Sequence, residues 1–585
     1  MAGGISNKKE ADIVGLTDEQ LRAVSHDIDP ELIRIGYEVI SKQKEEGFWQ
    51  AWRNHWGAGM WAIFIGCALF MEGYDTGLIS SFFGMPQFQA RFGREHKGKL
   101  VIPAHYQGAL QNLMKVGQLI GLAITGTCQE RYGSKRTFIW GMVAMAASIF
   151  LAVFAVSLDM LIVAELTMGV PWGMFQTLTT AYAAEICPVK LRGYLAAFAS
   201  VGWGGGGFIA SGVLKGALKI NGNWAWKLPF ALQWVWPVPL ALGCFFAPES
   251  AWWLVRKGRY EDAEKTLKRT ARKGFYAERE AEGYVAYMRH VDAMEKLEAA
   301  NGSWRELFKK GSPLRRTEIM IGTWLVQIWN GNMITGLTVE FLKQAGMTTG
   351  EAFNMNVILH AMGIVGVGLS WIFLGYFGRR SIYLAGLLSE AACLLPIGIL
   401  GTIAKTNARL KATGGLMIMI NLIFHFSLGP VCYSIVGELP ASRLRSRAIV
   451  MGRAVYVVCA IIAQQINTRM VAADGWNLKA KSGYFWFACN CVCFLWAFFR
   501  LPETSGRSFG ELDILFANKV PARKFKHTVV KDEAAQFGYG TKENHDAAEN
   551  DHFDDEKEEH AVHVENIDGK QVPVKADPKA THVLA

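Results

Sequence analysis

Long apolar stretches alternate with short, charge-bearing ones along most of the chain. Runs such as "WAIFIGCALF", "MVAMAASIFLAVFAV", "FALQWVWPVPLALGCFFA", "LMIMINLIFHFSLG" and "GYFWFACNCVCFLWAFF" are each the heart of a stretch of about 20 residues, the length a helix needs to cross a bilayer. Twelve such stretches, centred near residues 70, 117, 147, 171, 204, 238, 328, 364, 392, 425, 458 and 491, predict an all-α membrane protein of twelve transmembrane helices, numbered here spans 1–12 in chain order. An even number of crossings returns both termini to one side. The first 58 residues are polar and lack a short apolar region with a small-residue cleavage site, so span 1 itself is expected to direct insertion.

Lys and Arg near the span ends give the orientation. "ERYGSKRT" after span 2, "VKLRG" after span 4, "GRRS" after span 8, "RLRSR" after span 10 and the basic segment after span 6 share one face, which the positive-inside bias makes cytoplasmic. The opposite face also carries "RFGREHKGK" and "AKTNARLK".

Three motifs recur in order. "YGSKRT" (Gly133) returns as "FGRRSI" (Gly378), "EICPVKLRG" (Glu185) as "ELPASRLRSR" (Glu438), and "PESAWW" (Pro248) as "PETSGR" (Pro502), each pair separated by 245–254 residues. This predicts two six-helix halves, a parallel duplication of the kind that places a substrate site between halves near the membrane midplane. The expected organisation is an N-terminal tail (1–58), spans 1–6 (59–248), a cytoplasmic linker (249–316), spans 7–12 (317–501) and a C-terminal tail (502–585). In the linker, "RYEDAEKTLKRTARKG" and "REAEGYVAYMRHVDAMEKLEAA" carry apolar residues at helical spacing and predict short amphipathic helices under the membrane face. The charge run "KENHDAAENDHFDDEKEEH" reads as disordered.

Composition narrows the chemistry. Half of the 585 residues are apolar, with 20 Trp and 34 Phe, yet mean hydropathy is only +0.15, as expected for apolar spans between charged loops. The net charge of +10 sits mostly in juxtamembrane Lys and Arg and calls for lipid rather than nucleic acid as partner. The ten cysteines, Cys489, Cys491 and Cys493 among them, lie in or beside apolar spans, without metal-site or disulfide-framework spacing, and read as buried apolar residues. The sequon at Asn301 falls in the linker, on the face that is not glycosylated. No phosphate-binding loop, metal centre or cofactor motif is visible, so the expectation is a carrier and not an enzyme.

The motifs resemble the sugar porter family of the major facilitator superfamily: G-Y-D in span 1, G-R-[RK] after spans 2 and 8, E-x-x-P-x-x-x-R-G after span 4, P-E-S after span 6 and P-E-T-x-G-R after span 12. "MEGYDT", "GVPWGMFQTLTTAYAAEICP", "PESAWWLVRKGR", "GPVCYSIVGELPASRLR" and "LFANKVPARKFK" are similar to the fungal maltose and α-glucoside proton symporters. The resemblance implies alternating access at the plasma membrane with both termini cytoplasmic. It also implies a cytoplasmic latch of basic residues (Arg131, Arg192, Arg379, Arg380) and carboxylates (Glu185, Glu249, Glu438, Glu503) that holds the halves together in the outward-open state; plain positive-inside anchoring is the alternative for the arginines. Glu130 and Gly375 stand where the family usually has Asp, which implies a looser second-half latch.

"MEGYDTGL", residues 71–78, sets two carboxylates inside span 1. Glu72 and Asp75 are three residues apart and share a helix face, where an ionised pair in low dielectric repels and is poorly solvated. At a rise of ~1.5 Å per residue, Glu72 and Asp75 in span 1, Glu165 in span 4 and Lys115 in span 2 all fall in the outer half of the membrane. Three acids around one cation make an uncompensated site that a proton would relieve, and intramembrane ionisable residues are costly enough to mark function. Capping a broken helix is the alternative for the span 1 acids, and snorkelling to the outer interface the alternative for Lys115. Arg453 in span 11, the other intramembrane cation that the resemblance implies, lies nearer the cytoplasmic end and could engage after the carrier rocks.

Sugar recognition needs amides for hydroxyls and an aromatic face for the ring. By resemblance, Gln327 and Asn332 of span 7 match the family's Q-x-x-x-x-N, with Val326 in place of its first Gln. Tyr433 stands at the family's Trp/Tyr position, and Ser200 stands where hexose carriers have Gln. Asn421 and His425 lie about three and two turns before Tyr433. Fewer long amides and the run "GWGGGG" imply a pocket shaped for a disaccharide or glycoside, while the absence of an aromatic pair in "LTVEFL" argues against maltose itself. Trp203 and Trp329 are read equally as packing or as sugar platforms. The reading is proton-coupled uptake of an α-glucoside or other oligosaccharide; the alternatives are an uncoupled facilitator, a small-metabolite exporter and a non-transporting sugar sensor.

Overall fold

The computed structural model describes residues 28–529 apart from 97, 301–303, 375, 404–405, 441–443, 506–511 and 513–514, together with segments 561–566 and 571–575. The Asn301 sequon, Gly375 and the charge run 542–560 lie outside the described residues.

Span 1 is Trp56–Phe82, span 2 Ala104–Tyr132, span 3 Ser134–Val153, span 4 Leu158–Ile186, span 5 Val189–Ala217 and span 6 runs over 224–244. Span 7 runs as Ser312–Trp329 and then Thr338–Ala345, span 8 is Thr349–Phe373, span 9 Arg379–Leu400, span 10 Asn407–Phe426 and Leu428–Glu438, span 11 Arg445–Val471 and span 12 Ser482–Arg500. These twelve form two six-helix halves. Eight are long and apolar enough to cross a membrane by length and composition alone among the described residues. Span 2 falls short because Gln107, Gln111, Asn112, Lys115 and Gln118 punctuate it.

Spans 6 and 7 fall short because each is broken. In span 6 the helix passes through a short tight turn at Gln233–Val235 before Pro237. In span 7 Gly331 takes a left-handed conformation, φ 102°, which a side chain at that position would strain. The break exposes backbone polar groups that the neighbours satisfy: Asn490 of span 12 donates to the Asn330 carbonyl at 2.7 Å.

Close backbone approach decides which spans touch. Spans 2 and 4 carry matched G-x-x-x-G pairs, Gly117 and Gly121 against Gly169 and Gly173, and a Cβ on any of the four would strike a backbone carbonyl of the facing helix. The "GWGGGG" run does the same between spans 1 and 5, where Gly73 lies on the Trp203 backbone and Gly206 on the Phe70 carbonyl. These contacts bring Gln118, Gln176 and Trp203 to Glu72.

Between the halves, the linker forms helices Ala251–Arg256, Tyr260–Thr270 and Glu278–Ala300. Glu278–Ala300 does not lie alone under the membrane. A helix Pro30–Glu45, within the stretch expected to be a plain tail, docks on it through Gly36 against Gly283, Tyr37 against Tyr287 (4.8 Å between ring centroids) and an ion pair Lys42–Glu280 of 2.9 Å. Its apolar residues Ile33, Val39 and Ile40 are buried, a helical face too short and too diluted by charge to stand out beside the spans. At the other end of the chain, Thr528–Val529, Ala561–Asn566 and Gln571–Lys575 make a small antiparallel sheet with no counterpart in the apolar pattern.

Candidate functional site

Titratable residues of spans 1, 4 and 11 gather at two adjacent places, one of which joins the halves. At the first, Glu72 is buried and fully hydrogen-bonded. Its Oε1 accepts from Gln118 Nε2 at 3.0 Å and from Gln176 Nε2, and its Oε2 accepts from Trp203 Nε1 at 2.9 Å. The Gln176 carbonyl in turn accepts from the Arg453 guanidinium at 2.8 Å, so a single amide links a carboxylate of the first half to a cation of the second. Arg453 is stacked 5.1 Å from the Trp324 ring and 4.6 Å from Tyr456, which fixes its plane.

Three residues further along span 1, Asp75 is in a different situation. Its Oδ1 accepts from Gln233 at the break of span 6, but Oδ2 and both oxygens of Glu165 are buried and meet no donor among the described residues. Asp75 and Glu165 instead face one another at hydrogen-bond range. Two carboxylates facing in a buried site cannot hydrogen-bond; one proton between them makes the bond and removes half the charge.

Lys115 does not sit among these acids as expected. It is half-buried and makes no ion pair with Glu72, Asp75 or Glu165 among the described residues; the cation coupled to Glu72 is Arg453. Arg453 is engaged in this conformation through the Gln176 amide, a reach that Cα depth along a helix does not reveal.

The expected sugar-binding residues divide. Tyr433 is 37% exposed and opens onto the space between the halves, its ring 6.1 Å from Trp203 and edge-on to Trp324 at 5.2 Å. Together with Tyr456 these rings line the side of the Glu72–Arg453 link. Trp203 is thus part of the site, whereas Trp329 packs toward Trp486 of span 12 at 6.1 Å, inside the second half. Asn332 accepts from the Thr335 hydroxyl at 3.1 Å, and its amide nitrogen is left without a partner among the described residues. Ser200 is half-buried on span 5. Gln327 has its amide nitrogen on the Leu428 and Gly429 carbonyls (3.2 and 3.0 Å) at the break of span 10. Asn421 donates to the Leu359 carbonyl of span 8 at 2.8 Å, and His425 Nδ1 pairs with the Asn421 carbonyl at 2.9 Å. These last three pin spans 7, 8 and 10 together. Gln118, Gln176, Gln233, Trp324 and Tyr456 were not singled out from the sequence, although an amide inside an apolar span is a signal of its own.

The latch residues pair within halves, not across them. Arg379 donates to Glu438 at 3.0 Å, but Glu185 is held by Arg256 of the linker at 2.7 Å. Glu249 and Glu503 take the same role in the two halves. Glu249 accepts the backbone N–H groups of Ser134 and Lys135 at the start of span 3, and Glu503 accepts that of Arg380 at the start of span 9, both carboxylates lying against the preceding glycine, Gly133 or Gly378. Burial pushes the Glu249 carboxyl above the usual carboxylate range against the pull of those backbone donors. The Arg192 Nε donates to the Cys187 carbonyl at 3.0 Å, the Arg380 side chain to the Phe498 carbonyl at 2.8 Å, and Arg131 lies over the Tyr132 ring.

Hydrogen bonds between the halves cluster at the end of the bundle away from the linker. Gln107 of span 2 donates to Glu340 of span 7 at 2.9 Å, Ala104 N to Asp474 at 2.9 Å, Asn112 to Gln465 at 3.0 Å, and Asn356 of span 8 to Ser211 of span 5 at 3.0 Å. On the linker side no ion pair joins the halves among the described residues.

Comparison with known proteins agrees with this architecture. Residues 61–516 match the family described as "Sugar (and other) transporter". The chain is 36% identical over 516 residues to the general alpha-glucoside permease of Saccharomyces cerevisiae, covering 87% of this chain and 82% of that protein. It is 37% identical over 480 residues to the alpha-glucosides permease MPH3 of that yeast (81% and 79%) and 35% over 483 residues to its maltose permease MAL31 (82% and 78%). Among solved structures, the partially occluded inward open form of the xylose transporter XylE from E. coli superposes with a TM-score of 0.61 at 18% identity, over 78% of this chain and 99% of that one. The proton:xylose symporter XylE bound to 6-bromo-6-deoxy-D-glucose gives 0.62 at 20%, over 79% and 99%. With two broken-helix halves, a polar site between them and a family match from span 1 to beyond span 12, the chain belongs to the sugar transporter family of multi-pass membrane carriers.

Proposed function

We propose that this protein imports an α-glucoside together with one proton across the plasma membrane, with the linker and both termini in the cytoplasm. The Asp75–Glu165 pair carries the reading: two facing, donor-starved carboxyls beside the site have one straightforward way to be satisfied, which is a shared proton. The permease relatives support a sugar, and an α-glucoside in particular, as the cargo. Asp75 and Glu165 hold the proton, and Glu72, Gln176 and Arg453 connect that charge to the second half.

With the ends of the halves joined on the far side, this conformation faces inward. Sugar hydroxyls meet Asn332, Ser200 and the Gln176 amide, and the rings of Trp203, Trp324 and Tyr433 cover the apolar face of the sugar. Outward opening requires the far-side bonds of Glu340, Asp474 and Asn112 to break while the linker side closes, a rocking of one half against the other. The latch pairs then serve as stops for each half.

The test is uptake of labelled maltose, a second α-glucoside and glucose in a cell without other transporters. Accumulation of an α-glucoside that a protonophore abolishes supports the proposal; equilibration without accumulation, insensitive to the protonophore, refutes proton coupling, and accumulation of glucose alone refutes the substrate class.

A further inference from the structure

Away from the central site, where spans 7 and 12 end on the linker side, there is a cavity of about 460 Å³ lined by Arg315, Arg500, Lys519 and Arg523 with the rings of Phe499 and Phe516. It lies between the first turn of Ser312–Trp329, the last turn of Ser482–Arg500 and the segment 515–526 that follows. Sugar chemistry has no use for it: its walls offer four cations, and the carboxylate beside them, Glu318, is taken up by Arg500, whose Nε donates to it at 2.8 Å.

Three positive charges then face the space. Arg315 is held flat by Phe516 and Phe525, its guanidinium 5.2 and 5.8 Å from their centroids, and donates to the Val520 carbonyl at 2.7 Å. Arg523 lies over Phe499 at 4.9 Å and Phe498 at 5.2 Å and, among the described residues, makes no ion pair. Both forks are thus oriented before any ligand arrives, the condition for bidentate recognition of a phosphate. Lys519 is one of three non-glycine residues with left-handed backbone among the described residues, φ 53°, in the helix-ending turn closed by Lys519 N on the Phe516 carbonyl at 3.1 Å. Glycine is the ordinary occupant of such a turn. Placing a lysine there bears a conformational cost and sets an exposed ammonium at the cavity wall. Strain, preoriented arginines and a cavity of ligand size coincide at helix ends, the level at which lipid headgroups lie.

The geometry points to a second binding site, for a phosphate-bearing anion seated between Arg315, Lys519 and Arg523, supplied either by an anionic lipid headgroup or by a small soluble organic phosphate. An occupant would tie the first turn of span 7 to the segment after span 12, adding to the contacts that Arg315 and Arg316 already make with Phe516 and Val520.

The purified full-length protein is titrated with short-chain phosphatidic acid, with phosphatidylcholine of the same chains, and with glycerol 3-phosphate, binding being read by native mass spectrometry. Phosphatidic acid alone binding identifies a lipid; glycerol 3-phosphate binding as well identifies a soluble phosphate. The double variant Lys519→Gln/Arg523→Gln is expected to weaken binding at least tenfold, while Lys309→Gln/Lys310→Gln, on exposed basic residues outside the cavity, leaves it within twofold. No preference over phosphatidylcholine by either phosphate probe, or equal losses in the two double variants, overturns the site. Should the cavity variant fail to insert, amine acetylation of the wild type decides: phosphatidic acid or glycerol 3-phosphate must protect Lys519 several-fold more than Lys309, and equal labelling overturns the proposal.

Discussion

Replacing Glu165 with Gln tests the proton site in its own geometry. Among the described residues Asp75 Oδ2 has no donor, and the Glu165 carboxyl faces Asp75. A glutamine there supplies the missing N–H permanently, so Asp75 can stay ionised through the cycle with no proton to load or release. One bridging position between two facing carboxyls implies one proton per cycle. A potential of 100 mV contributes about 2.3 kcal/mol and one pH unit about 1.4 kcal/mol, together about 3.7 kcal/mol, which corresponds to a concentration ratio of roughly 500. Glu165→Gln should therefore lower the limiting accumulation of a neutral α-glucoside from hundreds-fold to about one, while sugar–sugar exchange across energised membranes persists within a few-fold. The assay is steady-state accumulation and counterflow in the same cells at matched surface expression. Protonophore-sensitive accumulation by the variant at the wild-type ratio refutes the reasoning and passes the proton to another group.

Tyr433→Ala removes an exposed ring braced by Trp203 and Trp324, and the half-saturation concentration for sugar should rise about tenfold, a loss of about 1.4 kcal/mol, with expression unchanged. Gly121→Leu drives a side chain into the Val170 carbonyl of span 4, an immovable neighbour, and should lower the unfolding temperature in detergent through a penalty of about 1–3 kcal/mol; a wild-type melting curve contradicts the packing role. Glu340→Ala deletes the Gln107 bond between the halves at the far side, worth about 1 kcal/mol, and should raise by about fivefold the access of an impermeant thiol reagent to Gln111→Cys in a cysteine-free background.

Much of the architecture is legible in the residue pattern because bilayer thickness fixes span length and the duplication repeats its motifs. That spans 1 and 4 bring acids together was legible too: counting residues set Glu72, Asp75 and Glu165 in one half of the membrane thickness, and Asp75 meets Glu165. Side-chain partners were not. Rise per residue locates a Cα, whereas the reach of Arg453 to Gln176 and the choice of Trp203 as a donor to Glu72 depend on how closely spans 1, 5 and 11 approach. Glu72 and Asp75 look equivalent three residues apart, yet one is saturated by three donors and the other faces an acid. Gln327, Asn421 and His425 have the chemistry of sugar ligands, but the break of span 10 takes Gln327, a span 8 carbonyl takes Asn421, and the Asn421 carbonyl takes His425. The helix Pro30–Glu45 escaped notice because its stabilisation comes from a surface, Glu278–Ala300, more than 200 residues away.

The most direct test of the central claim is simultaneous measurement of sugar and proton flux with purified protein in sealed liposomes carrying a pH-sensitive dye. Adding an α-glucoside outside, with the membrane potential clamped, should acidify the lumen at a rate equal to sugar entry, one proton per sugar. Sugar entry with no change in luminal pH would contradict the account.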